Sequence, residues 1–337
     1  MKEALLYEKS KDNVVTCYLC NHECCIPNGL FGICHVRQNK NGKLYTHVYD
    51  RIIAEHVDPI EKKPLFHFLP GSKSYSVSTV GCNFKCRFCQ NANIAQMPAD
   101  QGQISGMPLT PEQVVQTAIN NQCQSISFTY TEPTIYFEFA LETSQKAHEK
   151  KLKNIFVSNG YMSKGAIKTI SPWLDGANID LKSFNNQFYV KYCGGKLQPV
   201  LENLVRLKEN DVFVEITTLI VTGLNDDPKE IKQSAEFIVN ELGPDTPWHL
   251  SRFHPTYRLK DRPSTPIETL QRSRQIGMDA GLHYVFTGNV PGDRGESTFC
   301  HQCGQLVIER FGFRIQKNNL DGHQCPNCHT PVSIVLS

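Results

Sequence analysis

The chain has 337 residues, with 35 basic and 33 acidic side chains and a formal net charge of +2. This length allows one large core of about 250 residues plus small appendages, and the balanced charge gives no support for a nucleic-acid or anionic-membrane partner. The N-terminus lacks the apolar stretch of a signal peptide, and no run of about 18 consecutive apolar residues occurs. We therefore expect a cytoplasmic protein without a membrane span.

Fourteen cysteines are present, and in a cytoplasmic protein they indicate metal sites rather than disulfides, because the cytosol keeps thiols reduced. Eleven of them fall into three tight groups. The others are Cys25, Cys123 and Cys193.

The first group lies near the N-terminus and predicts a closed four-thiolate centre. Zinc and a second [4Fe–4S] cluster both remain open, since neither the spacing nor the softness of the ligands separates them. Zinc would be structural, whereas a cluster could relay electrons. The four cysteines are Cys17, Cys20, Cys24 and Cys34.

From about residue 75 the sequence alternates short β-type runs with amphipathic helices. A capping box at Thr110-Pro111 and similar starts at Asp227-Pro228 and Thr265-Pro266 mark three of the helices. Successive β-then-α units predict a parallel sheet with right-handed crossovers, although the strand count does not separate a closed barrel, a partial barrel and a doubly wound sheet. The predicted strands are 75–80, 125–130, 154–158, 177–181, 212–221, 248–253 and 283–287.

The second cysteine group follows the first of these strands with the spacing C-x3-C-x2-C, formed by Cys82, Cys86 and Cys89. Thiolates this dense hold iron–sulfur clusters or zinc, and a cubane cluster wants four ligands. A centre short of one protein ligand keeps an open position that a substrate can fill. A zinc loop or a fortuitous cluster of cysteines is the alternative.

Polar motifs stand where four further strands end, and in parallel α/β folds the chemistry gathers at that edge. We therefore expect these side chains to face the cysteine loop at one mouth. The motifs are Thr131-Glu132-Pro133, Ser158-Asn159-Gly160, Asp180-Leu181-Lys182 and His254-Pro255.

The cysteine loop, with Phe88 just before its third cysteine, resembles the cluster motif of radical S-adenosylmethionine (SAM) enzymes. The order of motifs is similar to the branch that contains pyruvate formate-lyase activating enzyme, and most similar to the radical enzyme of the AmmeMemoRadiSam system. The resemblance implies an α/β fold, a partial (β/α)6 TIM-type barrel at 71–290. Cysteine-rich extensions at 1–70 and 291–337 would flank it, the second of them zinc-ribbon-like.

The same resemblance implies a catalytic [4Fe–4S] cluster on Cys82, Cys86 and Cys89, with S-adenosylmethionine on its open iron. Reductive cleavage would give methionine and a 5′-deoxyadenosyl radical that takes hydrogen from an unidentified substrate, a protein or peptide among the candidates. An electron donor such as a ferredoxin or flavodoxin is implied, and Memo-type and AMMECR-type proteins are suggested as partners. Cofactor-binding positions carried over are Phe88, Glu132, Asn159, Asp180, Lys182 and His254.

Two departures weaken a second reading, a glycyl-radical activating enzyme. Val157 stands where those enzymes carry Asp, and Thr217 or a neighbour stands where they carry Arg. Glu215 on the same strand either substitutes for that arginine or faces solvent. A third reading, from another class, is an electron-transfer or zinc-ribbon binding protein without SAM chemistry.

The third cysteine group, Cys300, Cys303, Cys325 and Cys328, forms two C-x2-C knuckles. Two such knuckles supply a closed tetrahedral site and hold together a segment too small for its own core, so we expect structural zinc, with an iron centre as the alternative. Cys193 lies just beyond the Asp180-Leu181-Lys182 motif. It is either a hydrogen donor or covalent participant at the site, or an ordinary buried thiol.

Overall fold

The computed structural model describes residues 1–336 and is built around one eight-stranded sheet. The strands are numbered here in chain order. They are β1 (Ala54–Pro59), β2 (Lys73–Ser78), β3 (Ser125–Phe128), β4 (Lys153–Ser158), β5 (Gly176–Asp180), β6 (Phe213–Ile220), β7 (Trp248–Arg252) and β8 (Val285–Gly288).

The sheet runs in the order β8-β7-β6-β5-β4-β3-β2-β1. Strands β2 to β8 are parallel to their neighbours, and β1 pairs antiparallel with β2. Within residues 1–336 the two edge strands do not pair, so the curved sheet stays open. The predicted α/β fold with a parallel sheet is confirmed, and each of the seven predicted strands is present to within two residues.

Six longer helices connect these strands, and none in the described chain is long and apolar enough to cross a membrane. The capping box at Thr110 forms as predicted, and Asp227 caps the helix after β6 through its side chain. The helices are Pro111–Asn120, Phe137–Glu149, Lys164–Ile170, Leu197–Glu209, Pro228–Phe237 and Ile267–Asp279.

Short helical turns fill the remaining connections. Two of them, Ala92–Ala95 and Met97–Gln101, follow the cysteine loop. Asn186–Phe188 continues into a wide π-helical turn at Tyr189–Cys193, and Ile238–Leu242 forms a second turn of this type.

The N-terminal segment forms two small antiparallel sheets beside the barrel. One contains Lys2–Glu3, Arg37–Lys40 and Lys43–Thr46, and the other contains Tyr7–Lys9, Val15–Cys17 and Cys24–Ile26. A buried ion pair ties the segment to the barrel: an Arg37 guanidinium nitrogen lies 2.8 Å from a carboxylate oxygen of Glu138. A further strand pair joins Arg51–Ile52 to Met107–Pro108.

The C-terminal segment forms a three-stranded antiparallel sheet of Thr298–Phe299, Leu306–Phe311 and Arg314–Asn318. The chain then returns to the barrel, where Val335 bridges to Phe68. The predicted boundary at residue 70 separates β1 from β2, which pair in this sheet. The N-terminal region therefore supplies one strand of this sheet, and the C-terminal tail pairs with the segment between β1 and β2.

Candidate functional site

The cysteine loop follows β2 and is held by backbone hydrogen bonds to the turn at Tyr189–Cys193. The amide of Lys85 donates to the carbonyl of Cys193 at 2.7 Å, and the amide of Arg87 donates to the carbonyl of Tyr192 at 2.9 Å. Gly195 lies under the loop, where an added Cβ would come within 2.4 Å of the Phe84 ring. Main-chain contacts thus fix the loop whatever its side chains bind.

All three cysteines of the loop line one cavity of about 550 Å³ at the carboxyl ends of the strands. The Phe84 amide donates to Cys82 Sγ at 3.4 Å. Burial raises the pKa of Cys82, and it raises the pKa of Cys89 to about 12. Since a thiol is a metal ligand only as the thiolate, Cys82 and Cys89 favour the thiolate form only when they bind a cation.

Glu132 comes directly after β3 and is 2 % exposed in the same cavity wall. It accepts hydrogen bonds from the Thr134 amide (3.0 Å) and hydroxyl (2.5 Å), the Ser158 hydroxyl (2.8 Å) and the Asn159 amide (2.8 Å). Burial nevertheless raises the pKa of this carboxyl group. A cationic group in the cavity would therefore interact strongly with it.

Asn159, at the end of β4, connects this carboxylate to the cysteine loop. Its backbone amide binds Glu132, while its side-chain Nδ2 donates to Asn83 Oδ1 at 2.7 Å and lies 3.9 Å from Cys82 Sγ. The Nδ2 of Asn83 is buried without a hydrogen-bond partner among the described residues.

Asp180 and Lys182, at the end of β5, form an ion pair of 2.9 Å and line the same cavity. Although burial lowers the pKa of Lys182, Asp180 and Cys86 raise it well above its usual value. Lys182 therefore stays positively charged beside the cysteines. The structure thus places both charge signs next to the thiols.

Lys63 is a cavity residue to which the sequence assigned no role. It is 1 % exposed, its Nζ lies 2.6 Å from Asp58 Oδ2, and it sits over the Tyr130 ring, whose hydroxyl donates to Asp58. Burial lowers the pKa of Lys63 to about 8, even though Asp58 opposes that shift. The only sequence signal was the run of Glu61, Lys62 and Lys63 before Pro64.

Glu215 on β6 corrects one expectation, because it does not face solvent. It is fully buried and accepts hydrogen bonds from the amides of Phe66 (3.0 Å) and His67 (2.7 Å), and its Oε2 lies 2.6 Å from His249 Nε2. Burial raises the pKa of Glu215, but His249 and these donors lower it below its usual value. Glu215 thus anchors the 60–69 segment inside the barrel.

The remaining predicted positions differ in whether they line the cavity. Phe88 lines the cavity and packs against Phe188 at 5.7 Å between ring centroids. His254 is exposed, contacts Ser264 at 2.9 Å and does not line the cavity. Cys193 is fully buried beside Cys86, and a hydrogen bond from Cys193 lowers the pKa of Cys86.

Part of the cavity wall comes from residues to which the sequence assigned no role. Ser251, Asn289 and Glu296 line it, as do Gly312 and Phe313 from the hairpin of the C-terminal sheet. No local pattern marks the last two, because only the folding of the C-terminal sheet against the barrel brings them to the mouth.

The two outer cysteine groups differ in geometry. The Sγ atoms of Cys300, Cys303, Cys325 and Cys328 all lie within 4.8 Å of one another, with the 300–328 pair at 3.5 Å and the 303–325 pair at 3.7 Å. Cys17, Cys20, Cys24 and Cys34 line a common small cavity, but within residues 1–336 no three of them meet that limit.

The chain is similar to several known proteins. The profile of the Radical SAM superfamily matches residues 76–238. The chain is 45% identical over 338 residues to the uncharacterized protein MJ0808 of Methanocaldococcus jannaschii, covering 100% of both chains. It is 25% identical over 112 residues to the (2S)-3-sulfopropanediol dehydratase activating enzyme of Klebsiella oxytoca, covering 33% of this chain and 35% of that one.

Among solved structures, the fold is similar to a radical SAM methyltransferase from Sphaerobacter thermophilus. The TM-score is 0.51 at 16% identity, and the match covers 69% of this chain and 70% of that one. At this identity the likeness concerns the fold alone.

Proposed function

The chain belongs to the radical SAM superfamily of enzymes, and from this premise we propose how its own residues carry out that chemistry. The thiols of Cys82, Cys86 and Cys89 hold the [4Fe–4S] cluster, and SAM occupies the adjoining cavity. The observation that carries the proposal is the shared wall: the three thiols, Glu132 and the Asp180–Lys182 pair line one cavity of about 550 Å³.

The residues present fit both groups. Three soft thiolates leave one iron of a cubane without a protein ligand. The hydroxyl of Thr217 lines the cavity and is buried without a hydrogen-bond partner among the described residues. Because an unpaired buried polar atom costs free energy, this hydroxyl favours a bound molecule that pairs with it.

A cluster held by Cys82, Cys86 and Cys89 would supply the electron for reductive cleavage of SAM to methionine and a 5′-deoxyadenosyl radical, and this radical would take a hydrogen atom from the substrate. Glu132 binds the ammonium group of SAM, and its four hydrogen-bond donors keep the carboxylate oriented. Lys182 offers a fixed positive charge to a carboxylate, with Asp180 holding its side chain. Phe88 and Phe313 both add apolar surface to the cavity wall, Phe88 as a buried and Phe313 as an exposed side chain.

We propose structural zinc for the C-terminal group, since a zinc–sulfur bond of about 2.3 Å requires thiolates roughly 3.8 Å apart. The observed Sγ separations of 3.5 and 3.7 Å fit this requirement. We also propose a ferredoxin or flavodoxin as electron donor and a cytoplasmic location. The AmmeMemoRadiSam resemblance supports Memo-type and AMMECR-type proteins as partners.

A second candidate, a glycyl-radical activating enzyme, is favoured by the activating enzyme from Klebsiella oxytoca that matches a third of the chain. Val157 and Thr217 stand against it, because both line the cavity where activating enzymes carry Asp and Arg. A radical formed on a partner backbone would support this candidate.

Anaerobic reconstitution tests the main proposal. With a reductant, the wild-type protein should convert SAM to 5′-deoxyadenosine, and Cys86→Ala should lose at least about 100-fold of that rate, because the cluster loses a ligand. Cys25→Ser is the matched control, since Cys25 is exposed and outside the cavity. A wild-type protein that has a filled cluster but neither binds nor cleaves SAM would contradict the proposal.

A further inference from the structure

The four N-terminal cysteines surround a closed space that does not belong to the main cavity. Cys17, Cys20, Cys24 and Cys34 line it together with His22 and apolar side chains, and its volume is about 20 Å³. Two of the cysteines, Cys17 and Cys24, stand opposite each other on paired strands. Cys25 is exposed and does not line this space. The fold therefore selects four of the five neighbouring thiols.

The separation of these thiols distinguishes the metal centres that they can hold. Tetrahedral zinc at about 2.3 Å from each sulfur draws four thiolates to within roughly 3.8 Å of one another. The C-terminal group meets this condition, but no three Cys or His ligand atoms of the N-terminal group lie within 4.8 Å of one another in residues 1–336. Cys82, Cys86 and Cys89 do not meet it either. A [4Fe–4S] cluster binds one thiolate at each of its four irons, so its ligands stand farther apart than those of a single metal ion.

We propose that Cys17, Cys20, Cys24 and Cys34 hold a second iron–sulfur cluster rather than a zinc ion. All four ligands come from the chain, so this centre is closed and does not bind SAM. The inference rests on thiol geometry and does not require the proposed reaction.

The N-terminal site lies close enough to the cysteine loop for electron exchange between two clusters. Asn83 lines the N-terminal cavity, its carbonyl lies 2.8 Å from His22 Nε2, and it directly follows the cluster ligand Cys82. The Asn83 side chain also binds Asn159 in the main cavity. Asn83 thus contacts both cysteine sets. An iron–sulfur cluster at the N-terminal site could exchange electrons with the cluster on Cys82, Cys86 and Cys89, but a zinc ion there could not.

The test removes the catalytic cluster and leaves the N-terminal site intact. Full-length protein carrying Cys82→Ala, Cys86→Ala and Cys89→Ala is reconstituted without oxygen, and its iron, sulfide and zinc are counted. About four irons and four sulfides should remain per chain, together with about one zinc. About two zinc ions without sulfide would overturn the proposal.

Two further variants in the same background locate the iron. Adding Cys20→Ser and Cys34→Ser should abolish the remaining iron and sulfide, and adding Cys25→Ser should leave both unchanged. Iron that survives the first change would belong elsewhere and would also overturn the proposal. These counts need no SAM, so a wild-type protein that fails to form 5′-deoxyadenosine would contradict the proposed function alone.

Discussion

The N-terminal and C-terminal cysteine groups each offer four thiols, yet the fold arranges them in opposite ways. The C-terminal thiols come from two C-x2-C knuckles and converge until every Sγ lies within 4.8 Å of the others. The N-terminal thiols come from strands and loops of a larger segment and stay spread around a cavity. The number of cysteines therefore does not distinguish the two sites, whereas the distance between their sulfur atoms does.

The two groups also serve the barrel differently. The C-terminal group holds a small sheet whose hairpin carries Phe313 to the mouth of the cavity. The N-terminal group lies next to the cysteine loop, because Asn83, the residue after Cys82, lines the N-terminal cavity. We therefore expect the first to act through folding and the second through the neighbouring cluster.

The largest expected effect is the loss of zinc from the C-terminal group. Cys325 is fully buried, and Cys325→Ser should release the zinc, because structural zinc contributes on the order of 10 kcal/mol to the folding of small segments. Zinc content should fall by about one ion per chain, and limited proteolysis should cut within 298–336. Gln302→Ala is the control, because Gln302 is exposed between Cys300 and Cys303 and offers no metal-ligand atom to the thiol group. If Cys325→Ser kept its zinc, the C-terminal cysteines would not be the zinc site, and this half of the comparison would be wrong.

A smaller loss of stability is expected where the N-terminal segment joins the barrel. Glu138→Gln leaves the Arg37 guanidinium charged and uncompensated at 2 % side-chain exposure, which costs about 3–5 kcal/mol. Chemical denaturation of reconstituted protein measures this difference. Glu142→Gln provides the matched control on the same helix, since its carboxylate is 35 % exposed in its pair with Lys2 and should cost about 0–1 kcal/mol. Equal losses in both variants would mean that the buried pair does not anchor the segment.

The smallest expected effect is the pH dependence of stability that Lys63 causes. Lys63 lies on the 60–69 segment, which also contacts the C-terminal tail. Burial lowers the pKa of Lys63 from 10.5 to about 8. Between these values the unfolded chain holds a proton that the folded chain has released, so the unfolding free energy rises with pH, by about 1.4 kcal/mol per unit. Denaturation curves from pH 8 to 10 should show this slope in the wild type and not in Lys63→Met. Parallel curves would contradict it.

The sequence predicted the parallel sheet and the cysteine loop because both depend on local patterns. It placed Glu132, Asp180 and Lys182 at the mouth because parallel strands end at one edge. The sequence did not indicate that Lys63 and Phe313 line the site, since their positions depend on how the 60–69 segment and the C-terminal sheet pack against the barrel. Glu215 was ambiguous for a related reason: alternation along a strand does not tell the interior of a barrel from its exterior.

One measurement tests most directly the central claim, that a single cluster with an open coordination position sits beside a SAM cavity. Electron paramagnetic resonance spectra of the reduced wild-type protein are recorded before and after SAM is added. We predict that SAM changes the wild-type spectrum and leaves unchanged the spectrum of the variant lacking Cys82, Cys86 and Cys89. An unchanged wild-type spectrum, or an equal change in the variant, would contradict the account.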